Sequence, residues 1–162
     1  MKQITAHDLT TMSEQAATLP RLRAHRTLHE ELSDPVQRLA IAMEPGTYIR
    51  PHRHPQTWEL LTPLRGRFVV LQFNDEGVVT QRTLLGEETK VLEMPAFTWH
   101  AVLSVDPGGV VFEVKQGPYQ AARRRRLYAL GSTRRWRGDR SGDALVCHCQ
   151  SGRSFRTLTP SP

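Results

Sequence analysis

The chain is predicted to be an all-β sandwich or barrel, preceded by one short helix and followed by an arginine-rich tail. Three observations carry that reading. Short strand-like runs recur between turn signals from about residue 36 to residue 119, the pattern of a β sandwich or barrel. Near the N-terminus the apolar residues change to helical spacing. After Tyr119 the composition changes again, and the apolar alternation stops. A length of 162 residues fits one domain with a real core.

In chain order, Leu9, Met12, Ala16 and Leu19 predict an amphipathic helix over residues 7–19, with Thr5 or Asp8 as cap and Pro20 ending it. The helix is expected to pack on the barrel or on a partner subunit. His7 and His25 read as ordinary surface residues. From Arg26 to Leu32 the chain is expected to be extended, with a turn or capped helical start at Ser33-Asp34-Pro35. Residues 1–35 thus form a helix and lead-in strand, 36–119 the barrel and 120–162 the tail. Leu39, Ile41 and Met43 alternate with Ala40, Ala42 and Glu44, which predicts a strand with one buried face.

Pro45-Gly46 marks a turn into a strand in which Tyr48, Arg50, His52 and His54 share parity. Runs from Trp58 to Leu64 and from Arg67 to Phe73 follow, with Arg65-Gly66 between them as a hairpin signal. Asn74-Asp75-Glu76-Gly77 and Gly86-Glu87-Glu88 are further turns on either side of Val78 to Leu85. Val91 to Met94, Trp99 to Val105 and Val110 to Lys115 complete the strands, the last entered through Asp106-Pro107-Gly108-Gly109.

The net charge of +6 is unevenly spread, and that excludes a uniformly basic nucleic-acid face on the folded part. Residues 1–120 carry 12 basic against 14 acidic side chains, and residues 121–162 carry 10 arginines against Asp139 and Asp143. Both cysteines, Cys147 and Cys149, lie in the tail, so no disulfide framework is expected and a reducing cytoplasm fits. The N-terminus lacks a signal peptide's apolar core, and no apolar run approaches membrane-spanning length.

Chemistry concentrates between Gly46 and Gly66. His52 and His54 are two apart, so on an extended segment both imidazoles project from one face. Pro55-Gln56-Thr57 turns the chain and brings Glu59 beside them, and His100 supplies a fourth donor from Pro95-Ala96-Phe97-Thr98-Trp99-His100. Three imidazoles and one carboxylate suit Zn, Ni, Fe(II) or Mn(II), and not Ca. One carboxylate leaves a divalent centre with a net charge of about +1, which favours an anionic or carbonyl-bearing ligand. Sugars and hydroxy acids qualify.

Tyr48 and Arg50 are candidate substrate contacts on the same parity, or else a core tyrosine and a rim charge. Val111, Glu113 and Lys115 share a face of the last strand. If that face lines the barrel, Glu113 and Lys115 can pair near the metal and either can serve as acid or base; otherwise they are solvated charges on an edge strand.

Gly46, His52, His54, Glu59 and Gly66 meet every fixed position of the first motif of the cupin superfamily, which this chain resembles. The second motif is partly met: Pro95 and His100 are in place, Phe97 stands for its glycine, Ser104 for its asparagine, and Gly86 lies too far upstream. Because a bulky residue resists the positive φ that glycine allows, the turn before His100 is expected to be altered. The resemblance implies a single jelly-roll barrel, a metal held by His52, His54, Glu59 and His100, and a homodimer.

Leu28-His29-Glu30, residues 33–39, Pro51 to Pro55, Thr98 to His100 and Phe112 to Tyr119 resemble more narrowly the WbuC family of cupin-fold metalloproteins. That likeness covers about the first three quarters of the chain. It implies a small bacterial metal-binding protein associated with surface-polysaccharide metabolism, and no settled reaction.

The tail repeats arginine at 123–126, 134, 135, 137 and 140, the composition of a solvated segment or of a surface for nucleic acid. Cys147-His148-Cys149 lacks a second ligand pair for zinc. The tail also has the makings of a frameshifted end, since codons exist for Arg126 to Ser132 that, read one nucleotide later, give an Asp-Phe-Met-Pro-Trp-Ala continuation resembling that of the WbuC family.

The leading expectation is a metal-dependent cupin that binds or transforms a sugar or sugar-derived metabolite as isomerase, lyase or oxygenase. The alternative is a non-catalytic, metal-dependent binding or sensor module. Nucleic-acid binding through the tail ranks last; it would fall steeply with salt and vanish on truncation after Tyr119.

Overall fold

The computed structural model describes residues 1–119. The arginine run, Cys147-His148-Cys149 and the frameshift reading all lie outside the described residues. Helix α1 spans Ala6–Thr18 and opens with a capping box, in which the Thr5 hydroxyl accepts from the Asp8 amide while the Asp8 carboxylate accepts from the Thr5 amide. Eight strands follow among the described residues: β1 Arg23–Thr27, β2 Val36–Met43, β3 Glu59–Arg65, β4 Phe68–Phe73, β5 Val79–Leu85, β6 Leu92–Met94, β7 Trp99–Ser104 and β8 Gly109–Gln116.

They form two antiparallel sheets. One runs β1-β2-β8-β3-β6 and the other β5-β4-β7. Ile41, Met43, Leu61, Phe68, Val70, Leu85, Met94, Val102 and Val111 come from both sheets and make the common core. Two antiparallel sheets closed over one core, with chain-distant strands as neighbours, make the jelly roll expected from the sequence.

β2 departs from the expected single buried face. Ile41 and Met43 enter the core, while Ala40 and Ala42 are fully buried on the opposite side with Met12, Ala16, Ala24 and Val110. Helix α1 covers that outer face, and alanine allows it to lie close. β1 is shorter than the extended run expected from Arg26 to Leu32, because the chain bends and turns between Leu28 and Asp34 before re-entering the sheet as β2. The lead-in strand is nonetheless part of the larger sheet, registered from Arg23 against Met43 to Thr27 against Leu39.

The hairpin expected at Arg65-Gly66 does not form. β3 pairs with β6 and β8, whereas β4 pairs with β5 and β7, so the chain crosses from one sheet to the other at Gly66. Glycine is needed there because φ is +72° and an added Cβ would lie 3.2 Å from the Gly109 backbone. Pro63 sits beside a register shift in β3, where a residue without an amide proton is tolerated. The turn at Asn74 to Gly77 forms as expected, closed by the Val78 amide donating to Asn74 Oδ1 at 2.8 Å.

A candidate metal centre at one end of the barrel

Two chain segments meet to build the site. The regular strand expected through Tyr48, Arg50, His52 and His54 does not form; within residues 47–58 only His52 makes an isolated bridge, to His100. Pro51 and Pro55 lack the amide protons a ladder would require. The bridge is reciprocal, His52 N–H donating to the His100 carbonyl at 3.0 Å and His100 N–H to the His52 carbonyl at 2.9 Å. It sets two imidazoles side by side with ring centroids 4.4 Å apart. His54 lies 5.2 Å from His52 and 5.8 Å from His100 by the same measure. Glu59, first residue of β3, turns its carboxylate into this group and is only 3 % exposed.

One donor atom from each of His52, His54, Glu59 and His100 lies within 4.8 Å of the other three. The structure therefore brings together the four ligands expected from the sequence. Whether they suit an ion can be judged from the donors themselves. His54 Nε2, Glu59 Oε2 and His100 Nε2 are buried without a hydrogen bond, although His54 Nε2 lies only 2.8 Å from Glu59 Oε2. Buried polar atoms are seldom left unsatisfied, and three converging on one point fit a divalent cation.

Ring orientation supports the same fit. His52 Nδ1 lies 3.0 Å from the Arg50 carbonyl and His100 Nδ1 lies 2.9 Å from the Thr98 carbonyl. A carbonyl can only accept, so Nδ1 carries the proton and Nε2 keeps its lone pair for a metal. Burial, and then the neighbouring His100, lower the His52 pKa to about 4. His100 is lowered too, again chiefly by burial. Burial alone would raise the Glu59 carboxyl, but the close approach of His54 and the charges of His100 and Lys115 outweigh it and hold the group below the usual carboxylate range. Near neutral pH His52 and His100 thus present neutral imidazoles and Glu59 an ionised carboxylate, the protonation states that ligation requires.

The turn before His100 was expected to change because Phe97 replaces a glycine. Instead the backbone keeps the conformation glycine would adopt: Phe97 has φ +67°, and its N–H donates to the His54 carbonyl at 2.9 Å. The ring remains 61 % exposed. A left-handed non-glycine residue costs about 1–2 kcal/mol, and glycine returns about 0.5–1 kcal/mol of that as chain entropy. Phe97→Gly is therefore expected to raise Tm by about 2–4 °C. A lower Tm in thermal unfolding would mean that the exposed ring contributes packing that outweighs the strain.

Arg53 and Trp99 alternate with the ligands and lie against one another, the guanidinium carbon 4.6 Å from the ring centre. Asp75 ties them together, accepting from Arg53 Nη1 at 3.0 Å and from Trp99 Nε1 at 2.9 Å. This clamp braces both ligand-bearing segments. Alternation with the histidines could have flagged Arg53 and Trp99; nothing in the turn Asn74 to Gly77 pointed to Asp75.

The other candidates divide. Tyr48 is 44 % exposed, and its neighbour Ile49 packs against the core, so the shared parity drawn from Tyr48 to His54 is not realised in this irregular segment. Arg50 is half-buried, and its carbonyl orients His52. Glu113 and Lys115 are not on an edge: β8 lies between β2 and β3, Lys115 opposite Glu59 and Glu113 opposite Leu61. Glu113 is 7 % exposed, and Lys115 Nζ lies 2.5 Å from Glu113 Oε1. Solvated edge charges are thereby excluded. Burial, then the Glu59 charge, raises the Glu113 carboxyl. Burial would lower the Lys115 ammonium, but the Glu113 and Glu59 charges raise it.

Comparison with solved structures places the fold among known ones. The TT1209 protein of Thermus thermophilus is 17 % identical with a TM-score of 0.53, the match covering 72 % of this chain and 97 % of that one. A conserved protein of unknown function from Streptococcus pyogenes, SPY1581, is 18 % identical with a TM-score of 0.52, covering 74 % and 93 %. A cupin superfamily protein of Desulfitobacterium hafniense is 21 % identical with a TM-score of 0.45, covering 58 % and 75 %. No curated protein matches the sequence. The two-sheet jelly roll gathers His52, His54, Glu59 and His100 into a candidate metal site. One family model matches residues 4–85, from before α1 through β5 and including His52, His54 and Glu59 but not His100. On that match, the chain belongs to the family described as domain of unknown function DUF6016.

Proposed function

We propose that this protein is a metal-dependent cupin that binds and transforms a sugar or sugar-derived metabolite in bacterial surface-polysaccharide metabolism, as a cytoplasmic homodimer. The observation that carries the metal-dependent part is the set of four donors within 4.8 Å, three of them with buried atoms that make no hydrogen bond. His52, His54, Glu59 and His100 would hold Zn, Ni, Fe or Mn. When bound, such an ion supplies Lewis acidity toward a carbonyl or hydroxyl oxygen and, if it is iron, oxygen chemistry.

The chain's own groups supply the rest. Glu113 and Lys115 lie on the interior face that also carries Glu59, where one can give and the other take a proton. Tyr48 and Arg50, just ahead of the ligands in the chain, are proposed to contact the substrate at the rim. The sugar class and the polysaccharide setting are supported by the likeness of residues 28–39, 51–55, 98–100 and 112–119 to the WbuC family.

Elemental analysis of the purified protein, followed by ligand binding and turnover of sugars and hydroxy acids with and without chelator, tests the proposal. One equivalent of transition metal per chain and chelator-sensitive turnover are expected. Metal-dependent binding without turnover across the panel would make the protein a binding or sensor module instead. No metal uptake would remove the reading altogether.

A further inference from the structure

An ion pair buried in an apolar barrel is an unusual expense in stability unless it has another use, because two charges lose their hydration for one contact. Glu113 and Lys115 make such a pair, with side chains 10 % and 17 % exposed. They stand on the same face of β8 as Val111, which belongs to the common core. Their contact is short but incompletely satisfying: Glu113 Oε1 is buried without a properly aligned hydrogen bond. An ammonium carries three donors, and the Glu113 contact can engage only part of that capacity.

The cross-strand register places Lys115 on the face that carries the ligand cluster. Lys115 is paired in register with Glu59 on β3, so both side chains leave the same face of the sheet. On its other side stands Gln37, whose amide already donates to the Leu32 and Asp34 carbonyls at 3.2 and 2.9 Å. Glu59 cannot serve both a cation at the cluster and the lysine without dividing its two oxygens. A ligand carboxylate can complete the set, taking the Lys115 donors while another of its oxygens faces the metal site.

We propose that Lys115, positioned by Glu113, binds a carboxylate, and that the ligand of the metal site is therefore a small hydroxy acid or sugar acid rather than a neutral sugar. This rests on the metal-centre reading and narrows its ligand class. In holding the carboxylate, as distinct from any proton transfer, Glu113 acts through Lys115 and is a positioning residue.

The test uses full-length protein loaded with Mn2+, with lactate and its uncharged counterpart lactamide as probes and binding read by water-proton relaxation. Lys115→Met is expected to weaken lactate by about tenfold or more, the scale of one charge-assisted hydrogen bond, while lactamide and Mn2+ affinities stay within about twofold. Glu113→Leu/Lys115→Met removes both charges at similar volume and provides a second variant should the single one leave Glu113 buried without a partner. Glu113→Lys/Lys115→Glu keeps the pair but moves the ammonium, and is expected to lose the preference as well. If lactate and lactamide weaken together, or if lactate binding is unchanged, the carboxylate subsite is overturned while the metal centre stands. Wild-type protein that takes up Mn2+ but binds neither probe overturns the subsite in the same way. Failure to take up Mn2+ instead overturns the metal centre, and this inference with it.

Discussion

Glu59→Gln is expected to lower divalent-metal affinity by more than about 100-fold, beyond the usual effect of disturbing a residue that merely orients a ligand. The reason is charge as well as geometry. Glu59 is the one carboxylate in the cluster of four, and at 3 % exposure no solvent can replace it. Its amide substitute has nearly the same shape but neutralises the charge that balances the ion. Because an ion that binds only the folded state stabilises it by about 2.7 kcal/mol at a hundred times its Kd, wild-type protein should gain roughly 5–10 °C in Tm on loading. Glu59→Gln should lose nearly all of that gain. Calorimetry with and without metal, alongside metal content, reads both effects. A variant that keeps full metal content and the full thermal shift would remove Glu59 from the ligand set.

Acidification is the second large effect. In the folded protein burial and the neighbouring His100 hold His52 down to about 4, against an ordinary value of 6.5. Between those values the unfolded chain binds the proton and the folded chain does not, so stability falls as pH falls through the window and is fully present above it. For His52 alone the loss is roughly 3 kcal/mol. His100, also lowered, adds in the same direction, and Glu59 adds to it below the ordinary carboxylate range. Glu113, whose carboxyl is raised, works against them by favouring the protonated folded form in acid. Urea unfolding of chelator-treated protein between pH 7 and 4 measures the sum. His52→Asn should flatten the slope, and an unchanged slope would show that His52 carries no such shift.

Much of this architecture could be read from the residues because strand alternation and turn chemistry are local. Seven strands, β2 to β8, fell close to their expected places, while β1 lay earlier than expected and the strand expected through His52 and His54 did not form; the ligand set followed from donor spacing together with the motif resemblance. What escaped was pairing. Arg65-Gly66 has the composition of a hairpin, but β4 joins the other sheet, where Phe68 and Val70 share a core with Met43, Val102 and Val111, residues remote in the chain. The second buried face of β2 was missed for the same reason, since Ala40 and Ala42 read as polar-side fillers until α1 lies on them.

In the site, parity held where strands were regular and failed where prolines broke them. Glu113 and Lys115 sit on the inward face that alternation allowed, whereas Ile49 and not Tyr48 packs inward next to Pro51. Phe97 shows the opposite error. The demand of the fold for a left-handed residue proved stronger than the preference of the side chain.

The irregular course of residues 47–58 has a bearing on how a cation would get in and out. Strands on either side are zipped into sheets, but this stretch meets β7 through the reciprocal pair of backbone hydrogen bonds between His52 and His100 and the Arg53–Trp99 contact, with one more backbone hydrogen bond from Phe97 N–H, just ahead of β7, to the His54 carbonyl. Peeling it away exposes the donors while both sheets stay intact, so exchange of the ion need not wait for global unfolding. Deuterium uptake at those three amides, faster than in β4 and slowed by loading, would report that hinge directly.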